Sequence, residues 1–140
     1  MTPDQITRVQ DSFRLVAPIQ EAAAGLFYGR LFEIAPQLRP LFAHTDFDDQ
    51  GRKLMTTIGF VVASLRRPDA LLPAARGLAV RHTRYGVEEE HYAHVGAALL
   101  WTLEQGLGEA FTPETHAAWA AAYAMLSGAM IEAARLPAAA

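Results

Sequence analysis

The 140-residue sequence predicts an all-α fold. Alanine accounts for 27 residues and asparagine for none, whereas Val, Ile and Thr together number only 21. Alanine is the best helix former, and β-branched side chains lose rotamer freedom in a helix. The second observation is punctuation. Prolines and glycines divide the chain into stretches whose apolar residues recur every three to four positions, the spacing of a helix with one buried face.

Thr2-Pro3-Asp4-Gln5 reads as a capping box with proline at the first helical position. Ile6, Val9, Phe13 and Val16 follow as its buried face, and Pro18 ends or kinks that helix. A second helix is expected from about Ile19 to Ala35, with Phe27, Tyr28, Leu31 and Phe32 on its inner side. Pro36 and Pro40 bracket a short helical turn ending at Leu41-Phe42. His44 to Asp49, polar and rich in aspartate, reads as a loop. A third long helix carries Gln50, Leu54, Ile58, Val61 and Leu65 on one face and breaks at Arg67-Pro68-Asp69. The next, with Leu71, Ala75, Leu78 and His82 spaced by three and four, ends near His82 and is closed by Gly86. Glu88, Glu89 and Glu90 suit a helix N-terminus, where carboxylates meet the positive end of the dipole. That helix runs through Tyr92, Val95 and Leu99 to Gly106 and Gly108. Thr112-Pro113-Glu114 opens the last helix, which carries Trp119, Tyr123, Leu126 and Met130. Its end at Leu136-Pro137 leads into an alanine tail that is expected to fray.

The length suits one domain, residues 1–140, without an internal repeat or linker. Folding at this size removes roughly two-thirds of the chain's surface from water, enough to enclose a sizeable ligand. The absence of cysteine excludes disulfide scaffolds, Cys-zinc sites, iron–sulfur clusters and thiol catalysis. Lys and Arg number 12 against 15 Asp and Glu, a net charge of -3, which argues against a nucleic-acid partner. Asp4, Arg8, Asp11 and Arg14 interrupt the first 20 residues, so no signal peptide is expected. No charge-free apolar stretch reaches ~18 residues, so no membrane span is expected either. Both point to a cytoplasmic protein.

Five histidines are available for chemistry. His44 falls in a loop and His116 in the first turn of the last helix, and both read as solvated. His91 and His94 share a helix face, and Glu88-x-x-His91 has the spacing of a di-iron ligand pair. That chemistry needs a second Glu-x-x-His. Glu114-x-His116 has the wrong spacing, so the reading is set aside. His82 is different: it ends an apolar face and is flanked by Arg81 and Arg84. It is either a satisfied core histidine or the single axial ligand of a large apolar cofactor, and haem needs only one such ligand. Tyr28 and Gln50 are also polar residues on apolar faces, where burial without a partner costs a few kcal/mol. Each could bond a backbone carbonyl, or both could point at one bound ligand. The three lie on different helices, and spacing alone leaves the alternatives open.

Several stretches together resemble the globins, in particular the single-domain bacterial haemoglobins and the haem domain of flavohaemoglobins. They are Leu26-Phe27-Tyr28-Gly29-Arg30-Leu31-Phe32, Pro36-Gln37-Leu38-Arg39-Pro40-Leu41-Phe42, and Gln50-Gly51-Arg52-Lys53-Leu54. Val80-Arg81-His82 with Gly86-Val87, His91-Tyr92-Ala93-His94-Val95-Gly96 and Ala118-Trp119-Ala120-Ala121-Ala122-Tyr123 complete the set, in order along nearly the whole chain. The resemblance implies a three-over-three helical sandwich around haem b. It implies His82 as the iron ligand, Phe42 stacked on the haem, and Tyr28 and Gln50 as the distal pair. Leu54 would form the ceiling beside the bound gas, and Val87, Val95 and Leu99 the haem edge and proximal floor. Lys53 and Arg81 match positions of propionate partners, although Lys53, the only lysine, reads equally well as a solvated rim charge.

One departure stands out. Flavohaemoglobins bond the proximal histidine to a glutamate of the last helix, supported by a tyrosine. Tyr92 matches the tyrosine, but the glutamate's position, 134, holds Ala134. Glu132 lies two residues early, a rotation of roughly 200°. The backbone carbonyl of Leu78, one turn back, is the alternative partner for the His82 ring. The resemblance implies reversible binding of O2, NO and CO, and nitric oxide dioxygenation to nitrate with a separate flavin or nicotinamide reductase. Oxygen storage, delivery or gas sensing without catalysis is one alternative, and a haem-free helical regulatory domain is another. Monomer and weak dimer both stay open.

Overall fold

The computed structural model describes residues 1–135. Among them it contains six α-helices and no strand: α1 Pro3–Val16, α2 Gln20–Ile34, α3 Phe47–Ala63, α4 Pro68–Arg84, α5 Glu89–Leu107 and α6 Pro113–Arg135. Short 3-10 turns follow α1 (Ala17–Ile19), α2 (Pro36–Phe42) and α5 (Gly108–Ala110). The all-α expectation therefore holds. The expected helix end at Leu136-Pro137 and the alanine tail lie outside the described residues.

Local chemistry sets most boundaries. Gln5 N–H donates to Thr2 Oγ1 at 3.1 Å and Thr2 N–H donates to Gln5 Oε1 at 3.0 Å, the capping box that the sequence predicts. Gly86 follows α4 with φ +89°, a conformation that glycine adopts without the Cβ penalty, and lets Val87 N–H reach back to the carbonyl of His82. Glu88 caps α5, its N–H donating to Nδ1 of His91 at 2.9 Å.

One expectation is corrected. The stretch His44 to Asp49 is not all loop, because α3 begins at Phe47. The Asp46 carboxylate accepts from the N–H groups of Asp48 and Asp49 at 3.0 and 3.3 Å. Asp48 and Asp49 then lie in the first turn, where negative charge is favoured.

Helix α2 packs mainly on α5 and α3, while α4 and α1 pack on α6. Helices α3 and α4, consecutive in the chain, share no extended contact. The apolar interior is accordingly divided. One cluster, with Val9, Val16, Met55, Leu103 and Trp119, joins α1, α3, α5 and α6. It encloses a buried polar pair in which Trp119 Nε1–H donates to Ser12 Oγ at 2.8 Å. A second cluster centres on Phe27, Tyr28, Leu31, Leu38 and Ala98, and a third on Ala75, Ala79, Tyr92 and Met130. Full burial of a side chain such as Leu31 contributes roughly 1.5–3 kcal/mol. No described helix is long and apolar enough to cross a membrane.

Candidate functional site

Tyr28 on α2 and Gln50 on α3, which spacing alone could not relate, lie near one another. Tyr28 is 7% exposed. Burial pushes its phenol pKa above the ordinary 10, and the neighbouring Gln50 side chain works in the opposite direction. Phe27, Phe32, Phe42 and Phe47 surround the Tyr28 ring with centroids 5.0, 6.4, 5.7 and 5.5 Å away. Phe42, which the resemblance assigns to the haem face, belongs to that cage. Phe47 escapes sequence reasoning because it falls in the stretch read as loop. The signal that could have found it is Asp46 as a cap, which starts a helix at Phe47. Leu54, one turn beyond Gln50, is half-buried against the same cluster, together with Val95 and Leu99 of α5.

Across the gap between α3 and α4 lies His82. Its Nδ1 is 2.7 Å from the carbonyl oxygen of Leu78. A carbonyl only accepts, so Nδ1 carries the proton and Nε2 keeps its lone pair. Among the described residues nothing hydrogen-bonds Nε2. Burial lowers the His82 pKa below 6.5; the bond to Leu78 works against that shift and the Arg81 charge adds to it. The ring is therefore neutral at pH 7 and stacks on Tyr92 at 6.4 Å and 20°. The Tyr123 hydroxyl donates to the Tyr92 carbonyl at 2.6 Å. Tyr123, noted in the sequence only as a face residue of the last helix, thus anchors the turn of α5 against which His82 rests. Leu78, Val87 and Leu126 surround this side and are only half-buried.

The carboxylate question is answered by position. Glu132 and Ala134 are both exposed on α6, and among the described residues no carboxylate bonds His82. The charged rim residues stay outside as well. Lys53 pairs with Asp49 at 3.2 Å and its side chain is 68% exposed. Arg81 is exposed and folds back along α4 toward Gly77. His44 and His116 are exposed, as expected. Glu88, Glu90 and His91 gather within 4.8 Å at the start of α5, but Nδ1 of His91 already serves the cap.

The arrangement suits a haem. A bare metal ion needs several ligands, and His82 offers one neutral imidazole nitrogen. A large flat cofactor needs that single donor and apolar walls. Phe42, Leu54, Val95 and Leu99 pack on one apolar cluster, and Leu78, Val87 and Leu126 on another. All are apolar, yet none is fully buried.

A family model described as Globin matches residues 25–130. The chain belongs to the globin family. A flavohemoprotein of Bordetella parapertussis is 38% identical over 113 residues, which cover 79% of this globin and 28% of that protein. A flavohemoprotein of Rhizobium meliloti is 34% identical over 103 residues, covering 72% and 26%. The globin thus spans little more than a quarter of the length of these relatives. Its fold is similar to that of a bacterial globin from Campylobacter jejuni, with TM-score 0.85, 25% identity and 96% coverage of both chains. A hexacoordinated heme protein from an anhydrobiotic tardigrade has the same fold, with TM-score 0.87, 17% identity and coverage of 97% and 96%.

Proposed function

We propose that this globin holds haem b through Nε2 of His82, binds O2, NO and CO reversibly, and converts NO and O2 to nitrate in the cytoplasm. A separate flavin or nicotinamide reductase restores the ferrous state after each turnover. Haem, when bound, supplies the iron at which the gases bind and react. The chain supplies the rest. His82 is kept neutral by burial and oriented by the Leu78 carbonyl. Phe42, Leu54, Val95 and Leu99 exclude water. The observation that carries the reading is a buried phenol, Tyr28, ringed by phenylalanines and close to the Gln50 side chain. A phenol and an amide there give hydrogen-bond donors to a bound gas that gains partial negative charge, and such bonds are the strong ones.

One observation favours a second reading, oxygen storage, delivery or sensing without catalysis: His82 bonds a carbonyl and not a carboxylate, and so would be a weaker electron donor to a haem iron held there. Mixing the oxygenated protein with a small excess of nitric oxide separates the two. Rapid formation of nitrate and ferric haem in equal amounts, stopping after one turnover without added reductase, is expected. Slow or non-stoichiometric nitrate supports the second reading, and a purified protein without the intense near-ultraviolet haem band defeats both.

A further inference from the structure

We propose that His91 is a pH-operated latch at the start of α5: its neutral ring holds the first turn closed, and its protonation releases that turn together with Tyr92, on which His82 stacks. The N–H of Glu88 lies 2.9 Å from Nδ1 of His91. A backbone N–H only donates, so Nδ1 is the acceptor and the ring proton sits on Nε2. His91 is thereby held in the tautomer opposite to that of His82, whose Nδ1 faces a carbonyl. The other half of the box runs from the His91 N–H to the Glu88 side chain. A capping box ordinarily carries Glu or Gln at this position. Histidine can take it only while neutral, and histidine is the side chain whose charge changes between about pH 5 and 8.

Protonation puts an N–H on both ring nitrogens, so Nδ1 and the Glu88 N–H then meet donor to donor. The positive end of the helix dipole also opposes a cation where the neutral ring sits. Acceptors for the released imidazolium are at hand. Glu90 Oε1 is 4.0 Å from Nε2, and the Glu88 carboxylate belongs to the same cluster. The packed elements compete little for these groups. Arg135 of α6 is held by Glu89, and Glu132 is exposed. Arg81 and Arg84, at the end of α4, are exposed as well. Arg39 belongs to the 3-10 turn whose Leu41 approaches Gly86, and its guanidinium lies over the Phe32 ring at 4.8 Å. Among the described residues no carboxylate of α4 or α6 comes within 4.0 Å of the His91 ring nitrogens. Tyr92 follows His91 directly. Its carbonyl accepts from Tyr123 and its ring stacks on His82, so a loosened first turn loosens the seat of His82. The latch works whatever His82 binds.

Nuclear magnetic resonance on the 15N-labelled protein tests it. A scalar coupling between the Glu88 amide nitrogen and Nδ1 of His91, carried across the hydrogen bond, is expected at pH 8 and should be lost at pH 5. The protection of the Glu88 amide against hydrogen exchange, corrected for the intrinsic rate, should fall by about five-fold, the size of losing one N-terminal cap. His91→Gln supplies an acceptor that does not titrate. Its Glu88 protection should be the same at both pH values, and the Tyr92 shifts that track His91 in the wild type should vanish, while those caused by His82 persist. A coupling that survives at pH 5, or pH-dependent Glu88 protection retained in His91→Gln, overturns the latch. None of these measurements needs haem, so their failure is distinct from failure of the functional reading.

Discussion

Gly96 and Tyr123 approach more closely than any other side chain at position 96 would allow. A Cβ added at Gly96 would lie 2.7 Å from Cε2 and 2.9 Å from Cδ2 of the Tyr123 ring. The ring therefore rests on the backbone of α5, and from there its hydroxyl donates to the carbonyl of Tyr92. Tyr92 in turn stacks on His82. A missing methyl group on α5 thus sets how α6 is seated beneath the histidine.

Gly96→Ala tests that seating. Alanine gains about 1 kcal/mol over glycine as a helix former. Overpacking against a packed ring costs about 1–3 kcal/mol, the lower end suiting the half-buried Tyr123, and a displaced Tyr123 also loses a hydrogen bond worth about 1 kcal/mol. The loss outweighs the gain, so the urea midpoint should fall. Tyr123→Ala should suppress most of the Gly96→Ala penalty, because neighbours in contact are not additive. An unchanged midpoint for Gly96→Ala would show that the ring swings clear at no cost.

Alkaline pH should unfold the protein through its tyrosines. Burial raises the pKa of Tyr28, Tyr92 and Tyr123 above the ordinary 10. For an acid whose folded pKa is raised, the stability contribution is complete below the unfolded value, about pH 10, and is lost as pH rises toward the folded values. Ultraviolet titration should therefore show phenolate from these three residues appearing together with loss of helical circular dichroism. Their ionisation in a protein that keeps full helicity would contradict the burial.

His82→Ala should abolish stable haem uptake, measured as haem per chain after reconstitution. His82 ends the apolar face of α4, and nothing among the described residues hydrogen-bonds its Nε2. A ligand that binds only the folded state at about a thousand times its Kd adds about 4 kcal/mol. Added haem should therefore raise the melting temperature of the wild type and not that of the variant. Full stoichiometry in His82→Ala would assign the iron to another ligand.

The helices were legible in the sequence because their signals are local: a capping box at Thr2, prolines at positions 36 and 68, a glycine at 86. The start of α3 was not, because Asp46, Asp48 and Asp49 read equally well as solvated loop and only the backbone shows Asp46 acting as the cap. His82 bonding the Leu78 carbonyl was legible as an alternative, since a histidine reaches one turn back on its own helix. The Tyr28–Gln50 meeting was not derivable from spacing. It depends on the crossing of α2 and α3, where Gly51 lets the helices approach at Ala24. The resemblance to globins related the two only as the expected distal pair. The Tyr123–Tyr92 bond had no precursor in either reading, because a hydroxyl donating to a backbone carbonyl leaves no pattern in side-chain identities.

Tyr28→Phe separates oxygen from carbon monoxide. Bound oxygen acquires more negative charge than carbon monoxide, so it gains more from a phenol donor. Losing a hydrogen bond to a charged acceptor costs roughly 1.5–3 kcal/mol, so oxygen dissociation should accelerate by about ten-fold or more. Carbon monoxide dissociation should change far less. The phenylalanine keeps the ring, and with it the contacts to Phe27, Phe42 and Phe47, so the cage stays filled as before. Gln50 remains as a second donor and offsets part of the loss. Tyr28→Phe combined with Gln50→Leu should therefore accelerate oxygen release beyond either change alone. Stopped-flow release of oxygen at equal rates from the wild type and Tyr28→Phe would place the phenol away from the bound gas. An equal acceleration for both gases would show that the substitution opens an exit and removes no hydrogen bond.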